Sequence, residues 1–245
     1  MIKFLIAFAA APGMSRQACH IHYQEKHGPL VAGVPEFWKH VRGYVQNRAI
    51  THGSEASRVK VDGLSELWFN DWVSYDSAFA EPRYSKLIRP DEERFGDLKQ
   101  LLIFFAEDIA IFGSVGSPSI KLFRFLKRAE RASADLFFET WCDSHAAAVA
   151  ADPTIRSHAR AYIQNRPKER GTPFPSTVAF DGVDEFWFDS VEKIDAVMLA
   201  ERKVAELTGM SDLRNVDESV EIVVRTQCIK PIAEERETGL AAEQS

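Results

Sequence analysis

His20, Tyr23 and His27 are spaced by three and four residues, so in an α-helix they project from one face. An imidazole on the buried side of such a helix, with a pKa near neutrality, is suited to general acid or base catalysis. The other reading of His27 is structural, a helix-end histidine bonded to backbone ahead of Gly28-Pro29. His22 lies off this face and is expected to be solvated. No His-Glu-x-x-His pattern occurs, and His20 and His27 are poorly spaced as metal ligands, so no metal site is expected. Glu66 and Trp68 share one side of a strand. A carboxylate beside a large aromatic ring in a dry site has a raised pKa and suits proton transfer; alternatively Glu66 pairs with Arg42, Arg48 or a lysine and Trp68 fills the core. Tyr44, Gln46 and Arg48 also share a face, where a hydroxyl or amide can hold a substrate oxygen or enolate, or simply pack the sheet. Asp91, after Pro90, is expected to cap a turn, with Phe95 one turn further on.

Much else is excluded. The sequence has no Gly-rich phosphate loop and no Gly-x-Ser-x-Gly elbow, and Cys19 and His20, as consecutive helical residues, do not face each other, so nucleotide cofactors and nucleophilic triads find no support and no cofactor is expected. A net charge of −6 gives no basic field for nucleic acid or anionic membrane, and neither is expected as a partner. The three cysteines, Cys19, Cys142 and Cys228, form no Cys-x-x-Cys pair, as in a reducing, cytoplasmic setting. With 245 residues, 45% of them hydrophobic, the chain can bury a sizeable core as one barrel or a fused pair of units.

A duplication decides between those options. Tyr44-Val45-Gln46-Asn47-Arg48 is answered by Tyr162-Ile163-Gln164-Asn165-Arg166, an offset of 118 residues (162 − 44). The same offset carries Tyr23 onto Trp141, His27 onto His145 and Ile2-Lys3 onto Ile120-Lys121; after one inserted residue, Asp62 to Phe69 falls on Asp181 to Phe188. The apolar start from Phe4 to Pro12 imitates a secretory signal, but its internal echo marks it as a strand. In each half a strand is followed by a helix capped by Ser15 or Ser133, two strands of period two, a second helix and a fourth strand; Gly28-Pro29 is expected to end the first helix. Since Phe138 and Trp141 stand where His20 and Tyr23 do, this helix face is the one that packs on the sheet, which is expected to half-bury His27.

The order β-α-β-β-α-β predicts an α+β chain of two ferredoxin-like repeats, residues 1–112 and 120–230, with a flexible tail at 231–245. Their bare sheet faces meet in one intramolecular barrel with a cavity inside it, and free sheet edges allow a homodimer. Tyr23, His27-Gly28-Pro29-Leu30, Tyr44-Val45-Gln46-Asn47, Asp62 to Phe69 and Asp91-Glu92-Glu93-Arg94-Phe95 together resemble the EthD family of the dimeric α+β barrel superfamily. The second half keeps His145, Tyr162 and Glu185-x-Trp187 but has Ala146-Ala147-Ala148 after the histidine and no match to Asp91 to Phe95. The resemblance implies a cofactor-free dehydratase, decarboxylase, cyclase or isomerase for a small aromatic or polyketide-like molecule. In that reading His27 moves the proton and Tyr44 or Gln46 orients an oxygen. Glu66 is a second proton carrier or fixes the imidazole tautomer, and His20, Tyr23, Trp68, Asp91 and Phe95 line the pocket, with Trp141, His145 and Tyr162 as second-half counterparts. Two rivals remain: a binding or accessory protein for an apolar metabolite, favoured by a histidine with no carboxylate in reach, and a haem-binding or oxygenase-type barrel, favoured by an open imidazole facing a flat cavity.

Overall fold

The apolar start of the chain becomes strand β1 (Ile2–Ala10), whose alternation sorts its side chains to two sides of a sheet. Phe4, Ile6 and Phe8 face a layer of helices, and Lys3, Leu5 and Ala7 face the other way. The computed structural model describes residues 1–52, 59–114, 120–169 and 180–231. β1 lies between β3 (Gly63–Phe69) and β4 (Gly96–Gly113), with β2 (Val41–Ala49) beyond β3. The second half repeats this with β5 (Ile120–Leu126) between β7 (Gly182–Phe188) and β8 (Val220–Lys230), and β6 (Ala161–Pro167) beyond β7. Two ferredoxin-like units thus form one antiparallel barrel, as the sequence implies.

The closure uses up the sheet edges. β4 is long enough to pair with β1 and then with β6, from Ala106↔Pro167 to Gly113↔Ala161, while β2 pairs with β8. The result is a closed ring in the order β1-β3-β2-β8-β5-β7-β6-β4. The free edges expected for joining a second chain are therefore not available. The expected tail lies, apart from Pro231, outside the described residues, as does most of the stretch from Gly113 to Ser119 that joins the two repeats in sequence.

The barrel interior is filled rather than hollow, which corrects the expected central cavity. Leu5, Ala7, Leu64, Phe104, Phe123 and Phe125 pack one end. Beside them lies a square of buried charges: Lys3 Nζ is 2.9 Å from Glu66 and 2.5 Å from Glu185, and Lys121 Nζ is 2.5 Å from Glu66 and 2.9 Å from Glu185. Asn47 and Asn165 donate to Glu66 and Glu185 at 2.8 and 3.2 Å. Burial favours a neutral Glu185, but Lys121 and Lys3 outweigh it and hold its pKa at about 2. The square carries no net charge and each lysine bridges both halves, so it fixes their alignment more than it adds stability.

The helices cover the outer faces. Ser15 and Ser133 accept from the amides of Ala18 and Leu136 at 3.2 Å and cap α1 (Arg16–His22) and, in the second half, its counterpart (Ala134–Glu139). Each of these helices then widens into a π-helical turn, Tyr23–His27 and Thr140–His145, ending on the paired histidines. Gly28-Pro29 does not end the first helix: the chain continues as α2 (Gly28–Ala32) and α3 (Pro35–Trp38), because a proline in a first turn sacrifices no hydrogen bond. The second helical layer of the first half is α4 (Trp72–Ala80), a π-helical turn at Tyr84–Ile88, and α5 (Arg89–Phe95). In the second half α6 (Ala134–Glu139) leads through its π-helical turn to α7 (Ala146–Ala151) and α8 (Pro153–His158), and one helix, α9 (Ile194–Thr208), serves in place of α4 and α5, followed by the short α10 (Met210–Leu213). No helix among the described residues is long and apolar enough to cross a membrane.

Candidate active site

Between the outer face of the first-half sheet and its helices lies a chamber of about 380 Å³, a size that suits a small organic molecule. Strand alternation supplies its floor, Phe4, Ile6, Tyr44, Ser65 and Leu67, and the helices supply Tyr23, His27, Tyr84, Glu92 and Phe95. Most of the wall is apolar, so the few polar groups are conspicuous.

His27 is 5% exposed and lies on the chamber wall. Its Nδ1 is 3.0 Å from Asp91 Oδ2, and His22 Nε2 is 2.9 Å from Asp91 Oδ1. Burial pushes the Asp91 carboxyl up, but the hydrogen bonds from His27 and His22 outweigh it and hold the group below its ordinary value. An ionised Asp91 only accepts, so His27 carries its proton on Nδ1, and its Nε2 has no hydrogen-bond partner among the described residues. Phe95 and Tyr23 flank the ring, with centroids 4.9 and 6.1 Å away.

On the floor, Tyr23 Oη and Ser65 Oγ are 2.7 Å apart, and Gln46 Nε2 donates to Tyr44 Oη at 3.1 Å. Burial pushes the Tyr44 hydroxyl up to about 12, so it remains a proton-bearing donor at neutral pH. The Gln46 amide also donates to the Tyr23 carbonyl at 2.8 Å, which ties the π-helical turn to β2. Gln164 repeats both bonds with Tyr162 and Trp141 at 3.0 and 2.7 Å. Gln46 packs so closely under Gly28 that a Cβ there would lie 3.0 Å from its Oε1.

Several expected site residues belong elsewhere. Glu66 and Trp68 face the barrel interior, Glu66 in the charge square and Trp68 with its Nε1 donating to Asp108 at 3.0 Å; the sheet stands between them and His27. Asp91, not Glu66, is the carboxylate that fixes the imidazole, and it is not a turn cap. His20 Nε2 bonds the Asp62 carbonyl at 2.7 Å and does not line the chamber, because the widened turn rotates His27 out of phase with it. His22 is not free in solvent; five residues before His27, it is in register with it across the π-helical turn. Glu92, Tyr84 and Ser65 are chamber residues that helix and motif spacing did not single out, although Ser65, one step from Glu66, had to face the helices by alternation.

The second half has closed the corresponding space. Asp184 stands in place of Ser65 and accepts from Trp141 Nε1 at 2.9 Å and Tyr162 Oη at 2.6 Å, while Tyr162 and Phe186 stack at 4.4 Å. His145 is 1% exposed, 3.2 Å from Thr208 and 3.4 Å from Glu201, which also pairs with Arg124 at 2.6 Å and Arg214 at 3.1 Å. Trp141, Tyr162 and His145 are thus packed and bonded to protein groups.

Architecturally this is a dimeric α+β barrel made within one chain, with an imidazole–carboxylate pair in a chamber under one set of helices. An EthD-domain model matches residues 11–99 and 129–209, and the chain belongs to the EthD family, with the domain present twice. The dehydratase ustZ of Ustilaginoidea virens is 28% identical over 118 residues, spanning 42% of this chain and 81% of ustZ. Among solved structures, an anthrone oxidase-like protein superposes with a TM-score of 0.61 at 11% identity over 95% of this chain and 94% of the other. The chlorite dismutase of Candidatus Nitrospira defluvii does so at 0.53 and 10% identity, over 91% and 90%. At such identities these two speak to the fold alone.

Proposed function

We propose that the protein is a cofactor-independent lyase or isomerase that moves protons on a small, largely apolar molecule bearing a carbonyl or phenol, bound in the first-half chamber. The observation that carries this reading is His27, oriented by Asp91 and opening on a largely apolar cavity. Nε2 takes a proton from carbon next to the carbonyl, Asp91 stabilises the imidazolium that forms, and the Tyr44 and Tyr23 hydroxyls hold the oxygen that gains charge. The similarity to a dehydratase supports loss of water as the reaction. A partner carboxylate for the histidine also argues against passive binding, which needs no oriented base.

Haem suits these walls poorly. Besides His27, Arg89 is the basic side chain among the described lining residues, and it already pairs with Glu92 at 3.3 Å and Glu93 at 3.6 Å, leaving no free cation for two propionates. The reading is tested by turnover of candidate β-hydroxy ketones. His27→Ala in a folded protein is expected to lose about 10²–10⁴-fold in rate, and His145→Ala to keep it. Unchanged turnover in His27→Ala would refute the proposal.

A further inference from the structure

Asp91 and Glu92 are neighbours on α5 that serve different partners. Asp91 is bonded by His27 and His22, whereas Glu92 turns to the chamber wall, where Tyr84 Oη donates to its Oε2 and Oε1 at 3.1 and 3.3 Å and Arg89 Nη1 donates to Oε2 at 3.3 Å. Burial raises the Glu92 pKa above the ordinary glutamate value, while His27, Arg89 and Tyr84 pull it the other way. The bonding decides its state at neutral pH: two oxygens that both accept, beside a guanidinium, are those of a carboxylate ion. One hydroxyl proton and one guanidinium proton do not fill the roughly four lone-pair positions of such an ion, so it has room to accept from a molecule in the chamber.

The charges around it point the same way. Apart from His27, Arg89 is the one basic side chain among the described lining residues, and it is shared between Glu92 and Glu93, the latter at 3.6 Å. One positive charge between two carboxylates leaves this end of the chamber net negative. On the floor, Tyr44 Oη accepts from Gln46, so its own proton is not spent on that amide and is left for a ligand oxygen. The chamber thus offers a hydrogen-bond donor on its floor and a charged acceptor on its helical wall.

We propose that Glu92 selects the substrate: it accepts a hydroxyl from an uncharged molecule whose carbonyl oxygen lies on the floor, and it turns away molecules that carry a carboxylate. The inference rests on the lyase or isomerase reading above and narrows its substrate class. A hydroxy ketone supplies both groups. An acid awaiting decarboxylation instead brings another negative charge to a wall whose cation is already shared, and that repulsion acts as a filter.

The test is equilibrium dialysis at neutral pH with four unreactive ligands built on one ring system: β-naphthol, its methyl ether, β-naphthoate and β-naphthylmethylammonium. The unaltered protein is expected to bind β-naphthol at least about tenfold more tightly than the ether and about 10²-fold more tightly than the naphthoate, with the ammonium ahead of the naphthoate. Glu92→Gln keeps the shape and removes the charge, and both gaps are expected to shrink to within about threefold. Gaps that persist in Glu92→Gln assign the selection to another group and overturn the proposal. So does naphthoate binding to the unaltered protein as tightly as β-naphthol or ahead of the ammonium, an order that needs no variant to fold. Because none of these ligands reacts, a wrong order refutes the role of Glu92 and leaves His27 to its own turnover assay, while full turnover in His27→Ala refutes the catalytic reading whatever the order of binding.

Discussion

His27 and Asp91 are 64 positions apart in sequence, joined only by the packing of α5 against the first helix. No spacing rule links them, so although the family resemblance placed both residues at the pocket, their pairing was not legible in the sequence: Asp91 after a proline reads locally as a cap. Asp91→Asn removes the charge but little volume, so turnover is expected to fall on the order of 10²-fold with folding retained. The pH dependence of stability has a definite sign. Asp91 has a folded-state pKa below its ordinary value of about 3.9, so its contribution is complete above that value and disappears as pH falls through the lower one. Denaturation midpoints followed from neutral to acidic pH are expected to fall less steeply for Asp91→Asn than for the unaltered protein in that window; parallel curves would contradict the pairing.

At the scale of elements, the repeat and its strands were readable because alternation and recurrence are local signals. The π-helical turns were not readable, since an extra residue in a helical turn leaves the apolar pattern nearly intact while rotating everything after it. That rotation separates His20 from His27 and brings His22 beside it. Gln46 and Gln164 hold the two turns to their strands through the carbonyls of Tyr23 and Trp141. Removing either amide takes a buried hydrogen bond from a backbone carbonyl and another from a tyrosine hydroxyl, so Gln46→Ala and Gln164→Ala are each expected to cost about 1–3 kcal/mol in chemical denaturation. Only Gln46→Ala should also impair turnover, because only its turn presents a histidine to an open chamber. Equal kinetic effects from the two would count against this division.

The whole molecule is a duplicated barrel whose halves have diverged in what lies under their helices, while the charge square at their junction has kept its symmetry. Lys3 touches both Glu66 and Glu185, so Lys3→Met leaves two buried carboxylates to one lysine and is expected to lower the unfolding free energy by about 3–5 kcal/mol. An unchanged denaturation curve would show that the square does not hold the halves together. The proposed division of labour between the halves rests on Ser65 against Asp184 and Tyr23 against Trp141, changes that leave one chamber open and bond the other shut. It is tested most directly by nitrogen-15 NMR of the histidine side chains during titration with β-naphthol, a flat aromatic phenol of the proposed class. The Nε2 resonance of His27 is expected to move on binding, its Nδ1 to stay protonated, and both nitrogens of His145 to stay put. Movement at His145, or binding that leaves His27 unmoved, would contradict a working site in the first half.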